Sequence, residues 1–203
     1  MTTVVGIQGK NFAVLCADSR ISSISDDGYV YQVHTAKKGY SKVAENGPYL
    51  IGTAGDVRAI NILQHLFEPP KPTTRTVDLD KFMTTRFIPE LRDCFEKQGY
   101  ATKERDAEHI AQHSSTILVA IQGSIYLIDG DYSWISEGTG IYAIGSGSDY
   151  AMGALTALTG ELKKPHLTEA TAKQLAHRAV EIAGIFDPHT GPPITVHTQK
   201  AHG

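Results

Sequence analysis

The chain has 203 residues, of which 41% are hydrophobic and 20% charged, with a formal net charge of -3. This is the composition of a globular protein, of a length that suits a single domain over 1–203, and its mild acidity leaves no basic footprint for nucleic acid. No apolar run reaches the roughly 18 residues of a membrane span, and no charged segment followed by an apolar one opens the chain as in a secretory signal. A cytoplasmic location is therefore expected. The two cysteines, Cys16 and Cys94, are far apart and read as reduced thiols, with Cys16 a buried structural group in the apolar stretch "FAVLCADS".

In chain order, residues 2–8 and 11–17 read as β-branched, apolar strands of a hairpin turning at "GK". Residues 19–36 are polar and irregular, with "DDG" marking a turn. "YSKVAENGPYLIGTAG" predicts two short strands around "ENGP". From Asp56, an expected N-cap, Val57, Ile60, Ile62, Leu63 and Leu66 recur at near-helical spacing. The prolines of "EPPKPTTRT" end that helix, and residues 78–100 predict a second one, kinked at Pro89 and stopped at Gly99. Strands follow at 115–121 and 124–128, hairpinned at "QG", and at "GIYAIGSG". A helix over 149–160 and a long helix over 167–186 with Thr168 as N-cap precede a last strand, "PITVHTQ". Grouped strands and grouped helices point to layered α+β structure rather than a parallel βαβ sheet.

The opening "MTTVVGIQG" starts a strand almost at the terminus. Chain ends are usually loose. Were Met1 removed, as a small second residue permits, Thr2 would carry a free α-amine beside its own hydroxyl. An α-amine has a pKa near 8, so it can act as general base for the neighbouring hydroxyl. That pairing is one of the known routes to an activated nucleophile.

Further short motifs follow in order: "ADSR" at the end of the second strand, "LIGTAGD", "AIGSGSDYA" and "FDPHTG". Together with the opening they resemble the β-type subunits of the proteasome/HslV family of N-terminal-nucleophile hydrolases, over nearly the whole chain. The resemblance implies a four-layer αββα sandwich and a threonine endopeptidase acting through an acyl-enzyme, without metal or cofactor. It also implies a homo-oligomeric, self-compartmentalised ring that receives peptide or unfolded protein, with a possible ATPase regulator. The long 21–39 stretch and "EPPKPTTR" depart from the compact family pattern and leave ring size open.

Site roles carry over residue by residue. Thr2 matches the nucleophile. Asp18 matches the acid that holds a lysine ammonium near the threonine, where its charge keeps the α-amine neutral. Lys42, followed by Val43, fits the family's local pattern for that lysine. Lys38 fits its distance to the glycine strand better but is followed by Gly39, so it stands as the alternative to Lys42. Gly52 matches the glycine whose amide receives the oxyanion, with help from the amide of Ser146. Ser146, Asp187 and Thr190 match groups that hydrogen-bond around the α-amine, with Thr190 in place of a serine. Pro188 and His189 are unusual in that loop.

Other constellations carry less. His109 and His113 share a helical face, but no HExxH and no cysteine pair accompanies them, so no metal is expected. "GSGSD" lacks the lysine of a phosphate-binding loop. Tyr29, Tyr31, Tyr40 and Tyr49 suggest pocket walls or packing rather than stacking platforms for nucleic acid. Two alternatives remain at this point: an amidohydrolase or acylase of the same fold acting on a small amide, and a catalytically silent shell subunit.

Overall fold

Alternation along the first two strands decides the layering. In β1 (Thr3–Gln8) and β2 (Phe12–Asp18), Val4, Ala13, Leu15 and Ala17 face one apolar cluster, while Val5, Ile7, Val14 and Cys16 face another. A sheet with two apolar faces must be covered on both. The computed structural model describes residues 2–25, 30–34, 37–72, 78–101, 112–160 and 167–201.

β1 and β2 lie at the centre of a four-stranded antiparallel sheet, flanked by β10 (Ile141–Gly145) beside β1 and β11 (Ile194–Lys200) beside β2. The second sheet is also antiparallel and runs β5 (Val43–Asn46), β6 (Tyr49–Ala54), β7 (Thr116–Ile121), β8 (Ser124–Ile128) and β9 (Trp134–Ile135). The inner faces meet in a core of Val4, Leu15, Val43, Leu50, Leu118 and Ile125. Gly52 belongs to this contact: a β-carbon there would lie 2.8 Å from Val4 Cγ1, so its bare backbone lets the sheets approach.

Helices cover both outer faces, completing an αββα sandwich. The second sheet packs under α1 (Val57–His65) and a continuous helical segment, α2 (Leu79–Phe82) and α3 (Ile88–Lys97), joined by a π-type turn at Met83–Phe87. Pro89 sits in the first turn of α3, where its missing N–H costs nothing, so the irregularity falls before the proline rather than at it. Gly99, at φ 62°, ends the segment. The first sheet is covered by α4 (Ser148–Gly160) and α5 (Glu169–Phe186). The buried stripe of α5 is Ala172, Ala176, Ala179, Val180 and Ala183, side chains small enough for the helix to lie close to the sheet. Asp56 caps α1 by accepting from Arg58 N, and Thr168 caps α5 by accepting from Thr171 N at 3.1 Å.

A second expectation is corrected. Part of the polar 19–36 stretch is ordered as a separate two-stranded ribbon, β3 (Ile21–Ile24) paired with β4 (Val30–His34). Ile21, Ser22, Ser23 and Ile24 are half polar and do not alternate, so neither composition nor period marks them as a strand. Cys16 is fully buried, and burial and nearby Asp18 push its thiol far above its ordinary pKa, which suits an inert core group.

Candidate active site

At one end of the sandwich the strand termini carry buried polar groups in place of apolar ones. Thr2 precedes β1 directly and is only 2% exposed. The next residue anchors this end: Thr3 N–H donates to Asp18 Oδ1 at 2.9 Å. The same oxygen receives Lys42 Nζ, also at 2.9 Å. Asp18 Oδ2 accepts from the amides of Arg20 (3.0 Å) and Gly191 (3.1 Å). Asp18 is fully buried and Lys42 nearly so, so this is an ion pair out of water whose carboxylate is saturated with donors. Burial pushes the Lys42 ammonium below its ordinary pKa, and the charge and hydrogen bond of Asp18 offset part of that. The other lysine candidate, Lys38, lies in an exposed turn.

A second carboxylate stands on the opposite flank of β1. Asp187 caps the end of α5 and accepts from Ser146 Oγ (2.7 Å), Thr190 Oγ1 (2.6 Å) and His189 N–H (3.1 Å). Thr190 Oγ1 lies 2.5 Å from Thr3 Oγ1, so the web reaches β1 one residue after Thr2. Burial alone would raise the Asp187 carboxyl, but the hydroxyl and amide donors outweigh it and hold the carboxyl below its ordinary value. His189 enters through its backbone N–H; its ring Nδ1 is buried without a partner among the described residues.

Glycines make this end fit. Gly145, at φ 95°, ends β10 where a β-carbon would fall 1.9 Å from Thr2 O. A β-carbon on Gly147 would fall 2.2 Å from Thr3 Oγ1 and 3.1 Å from Asp187 Oδ2. "GSGS" thus brings backbone against the chain start while Ser146 points its hydroxyl into the Asp187 web.

Gly52 does not fit the oxyanion role expected of it. Thr53 N–H donates to Lys42 O across the β5 side of β6. Amides alternate in a strand, so the Gly52 amide points the other way, into the ladder with its partner Leu118 on β7. Gly55, three residues on, is a second candidate for that role. It follows the last residue of β6, at φ 123°, and continued alternation would turn its amide to the same side as that of Thr53. Its signal was the second glycine of "GTAG", one residue before the Asp56 cap.

Arg20 was also overlooked. Its guanidinium donates to Pro188 O at 2.6 Å and packs where Gly191 has no side chain, strapping the "DPHTG" loop to the strand of Asp18. His113 sits in an aromatic cluster with Phe95, Tyr100 and Tyr132, and burial lowers its pKa to about 4. Its expected companion His109, along with Met1 and Tyr29, lies outside the described residues. A cavity of about 750 Å³ opens at the opposite end of β1, lined by Ile7, Gln8, Lys10, Ile141 and Thr156, and so is remote from Thr2.

No family model matches the chain. It is 27% identical over 195 residues to the ATP-dependent protease subunit HslV of Oceanobacillus iheyensis, covering 96% of this chain and 94% of that one. It is 29% identical over 198 residues to the ATP-dependent protease subunit ClpQ of Bacillus pumilus, with 96% and 94% covered. Among solved structures it is similar to Thiobacillus denitrificans BPH in complex with epoxomicin, at TM-score 0.71 and 19% identity over 99% of this chain and 100% of that one. HslV from Trypanosoma brucei superposes at TM-score 0.64 and 21% identity over 98% and 99%. Sequence kinship along nearly the full length and a shared fold agree with the threonine-led strand and its buried lysine–aspartate pair, and together they support an HslV-like threonine peptidase of the N-terminal-nucleophile type.

Proposed function

We propose that the chain, as one domain over 1–203, hydrolyses peptide bonds with Thr2 as nucleophile once Met1 is removed. The observation that carries this reading is the shared oxygen of Asp18, which holds both the Thr3 amide and the Lys42 ammonium. A buried cation is thereby tied to the strand that Thr2 begins.

The α-amine of Thr2 takes the proton of its own Oγ, directly or through a water, as Oγ attacks the scissile carbonyl. The Lys42 charge favours the alkoxide and keeps the amine neutral. The oxyanion rests on the Gly55 amide, which costs no reorganisation as charge develops. The amine then gives its proton to the leaving nitrogen, and water hydrolyses the ester to free the acid and restore Thr2. Ser146, Asp187 and Thr190 hold the start of β1 and orient the amine. No step calls for a metal or cofactor.

The relatives named as subunits of ATP-dependent proteases support two further elements of the reading. The chain works in a homo-oligomeric ring that encloses the site, and an ATPase supplies it with unfolded protein. No helix among the described residues is long and apolar enough to cross a membrane, in keeping with work in the cytoplasm.

Intact mass combined with a peptide epoxyketone tests the central claim. The expected result is a chain lacking Met1 that gains one adduct on Thr2, with none on Thr2→Ala. A processed chain that takes no adduct and cleaves no peptide overturns it.

A further inference from the structure

Beside the Lys42–Asp18 pair lies a second polar cluster to which the mechanism above assigns no task. Ser41 Oγ accepts the Val43 N–H at 3.0 Å, closing a turn around Lys42. It also lies 2.9 Å from Thr195 Oγ1 and 3.1 Å from His197 Nε2, both on β11. The other ring nitrogen, His197 Nδ1, lies 2.7 Å from Glu45 Oε1 on β5. Gln64 of α1 donates its side-chain N–H to Ser41 O at 2.7 Å. Ser41 is therefore gripped from both sheets and from a helix.

The donors order themselves. A carboxylate only accepts, so Glu45 draws the imidazole proton to Nδ1 and leaves Nε2 as acceptor. Ser41 O–H then donates to His197 Nε2, and the Thr195 hydroxyl, 2.9 Å from Ser41 Oγ against 3.5 Å from Ala17 O, donates to the nearer Ser41 Oγ. The register gives this a consequence: Thr195 is paired with Ala17, and its neighbour Ile194 with Asp18. The same stretch of β11 thus fixes both the strand that carries Asp18 and the serine that precedes Lys42.

We propose that Ser41, oriented by His197, Glu45 and Thr195, is a positioning residue that sets the Lys42 ammonium against Asp18 for the reaction at Thr2. The proposal rests on the reading of Thr2 and Lys42 given above. A serine, a histidine and a glutamate in this order also make the relay of a serine hydrolase. Against attack by Ser41 stands its oxygen, which already holds a backbone amide and a second hydroxyl, in a residue only 9% exposed.

The test compares wild type with Ser41→Ala, Ser41→Thr and His197→Gln, using a fluorogenic peptide, the rate of epoxyketone labelling and the melting temperature. Ser41→Ala is expected to lower kcat and the labelling rate about 10-fold or more, because small displacements of a charged group at the reacting centre are costly. KM should stay within about twofold, because a buried residue that acts through Lys42 bears on the chemical step rather than on binding. Ser41→Thr, which keeps the hydroxyl, should restore most of the loss. Should Ser41→Ala fail to fold, His197→Gln gives the same reading with the serine in place. Full kcat in Ser41→Ala overturns the proposal, as does a loss that the threonine variant shares, or fluorophosphonate labelling of Ser41. A wild type that neither turns over nor labels would refute the reading of Thr2 instead. The clamp is then read by nitrogen-15 NMR of the Lys42 ammonium, which Ser41→Ala must shift if Ser41 sets its place; an unmoved signal overturns the clamp.

Discussion

Two carboxylates flank the start of β1, and they are held in opposite ways. Asp18 is met by a lysine and by the amides of Thr3, Arg20 and Gly191, so its partners are a cation and fixed backbone. Asp187 is met by two hydroxyls and one amide, and one of those hydroxyls, on Thr190, bonds onward to Thr3 Oγ1. The first arrangement delivers charge and cannot rotate. The second orients groups and can pass a proton along its hydroxyls. A nucleophile that is its own base needs both: a charge to lower the cost of the alkoxide, and donors and acceptors that aim the amine.

Breaking the ionic side should cost most. Lys42→Met strips the cation from a fully buried carboxylate and is expected to lose about 3–5 kcal/mol of stability by urea denaturation, together with labelling at Thr2. Adding Asp18→Asn should recover stability and leave activity absent; recovery of both would remove the charge from the account. On the hydroxyl side, Asp187→Asn keeps the shape but turns one acceptor into a donor, and should cost about 1–3 kcal/mol and lower kcat.

The two sides also separate by pH. The folded carboxyl of Asp187 titrates below its ordinary 3.8, so the unfolded chain takes up the proton more readily. Its contribution to stability is complete above the unfolded value and drains away as pH falls through the folded one. Urea titrations from about pH 5 down to pH 2 should show this acid limb in wild type and lose part of it in Asp187→Asn. Smaller still, Ser146→Ala removes one donor and should cost about 1 kcal/mol, with a fall in kcat rather than a rise in KM. Thr190→Ser keeps the hydroxyl bonded to Asp187 and gives up one methyl, so its expected cost is under about 1 kcal/mol in a thermal melt.

Local patterns made most of the fold legible. The caps at Asp56 and Thr168, the hairpin at residues 122–123 and the α5 stripe follow from spacing and turn chemistry. The β3–β4 ribbon was not legible, because its strands are half polar and belong to neither main sheet. At the site, short motifs named Thr2, Asp18, Ser146, Asp187 and Thr190, since each sits at a strand end or a glycine turn. Two choices lay beyond them. Lys38 and Lys42 differ by four positions, and only one of them turns inward to a buried carboxylate. Gly52 and Gly55 share a motif, and the direction of an amide depends on which neighbouring strand has already claimed it.

By itself, then, the sequence determined the strand at the terminus, the threonine that leads it, the layered α+β class and the set of polar residues near the chain start. Those depend on alternation, turn chemistry and residue type, which are local. Tertiary structure alone decided which lysine meets Asp18, that the Gly52 amide faces β7, and that Ser41, His197 and Glu45 converge from β11 and β5. These are outcomes of register and sheet stacking between segments as much as 156 residues apart, and no local pattern encodes them.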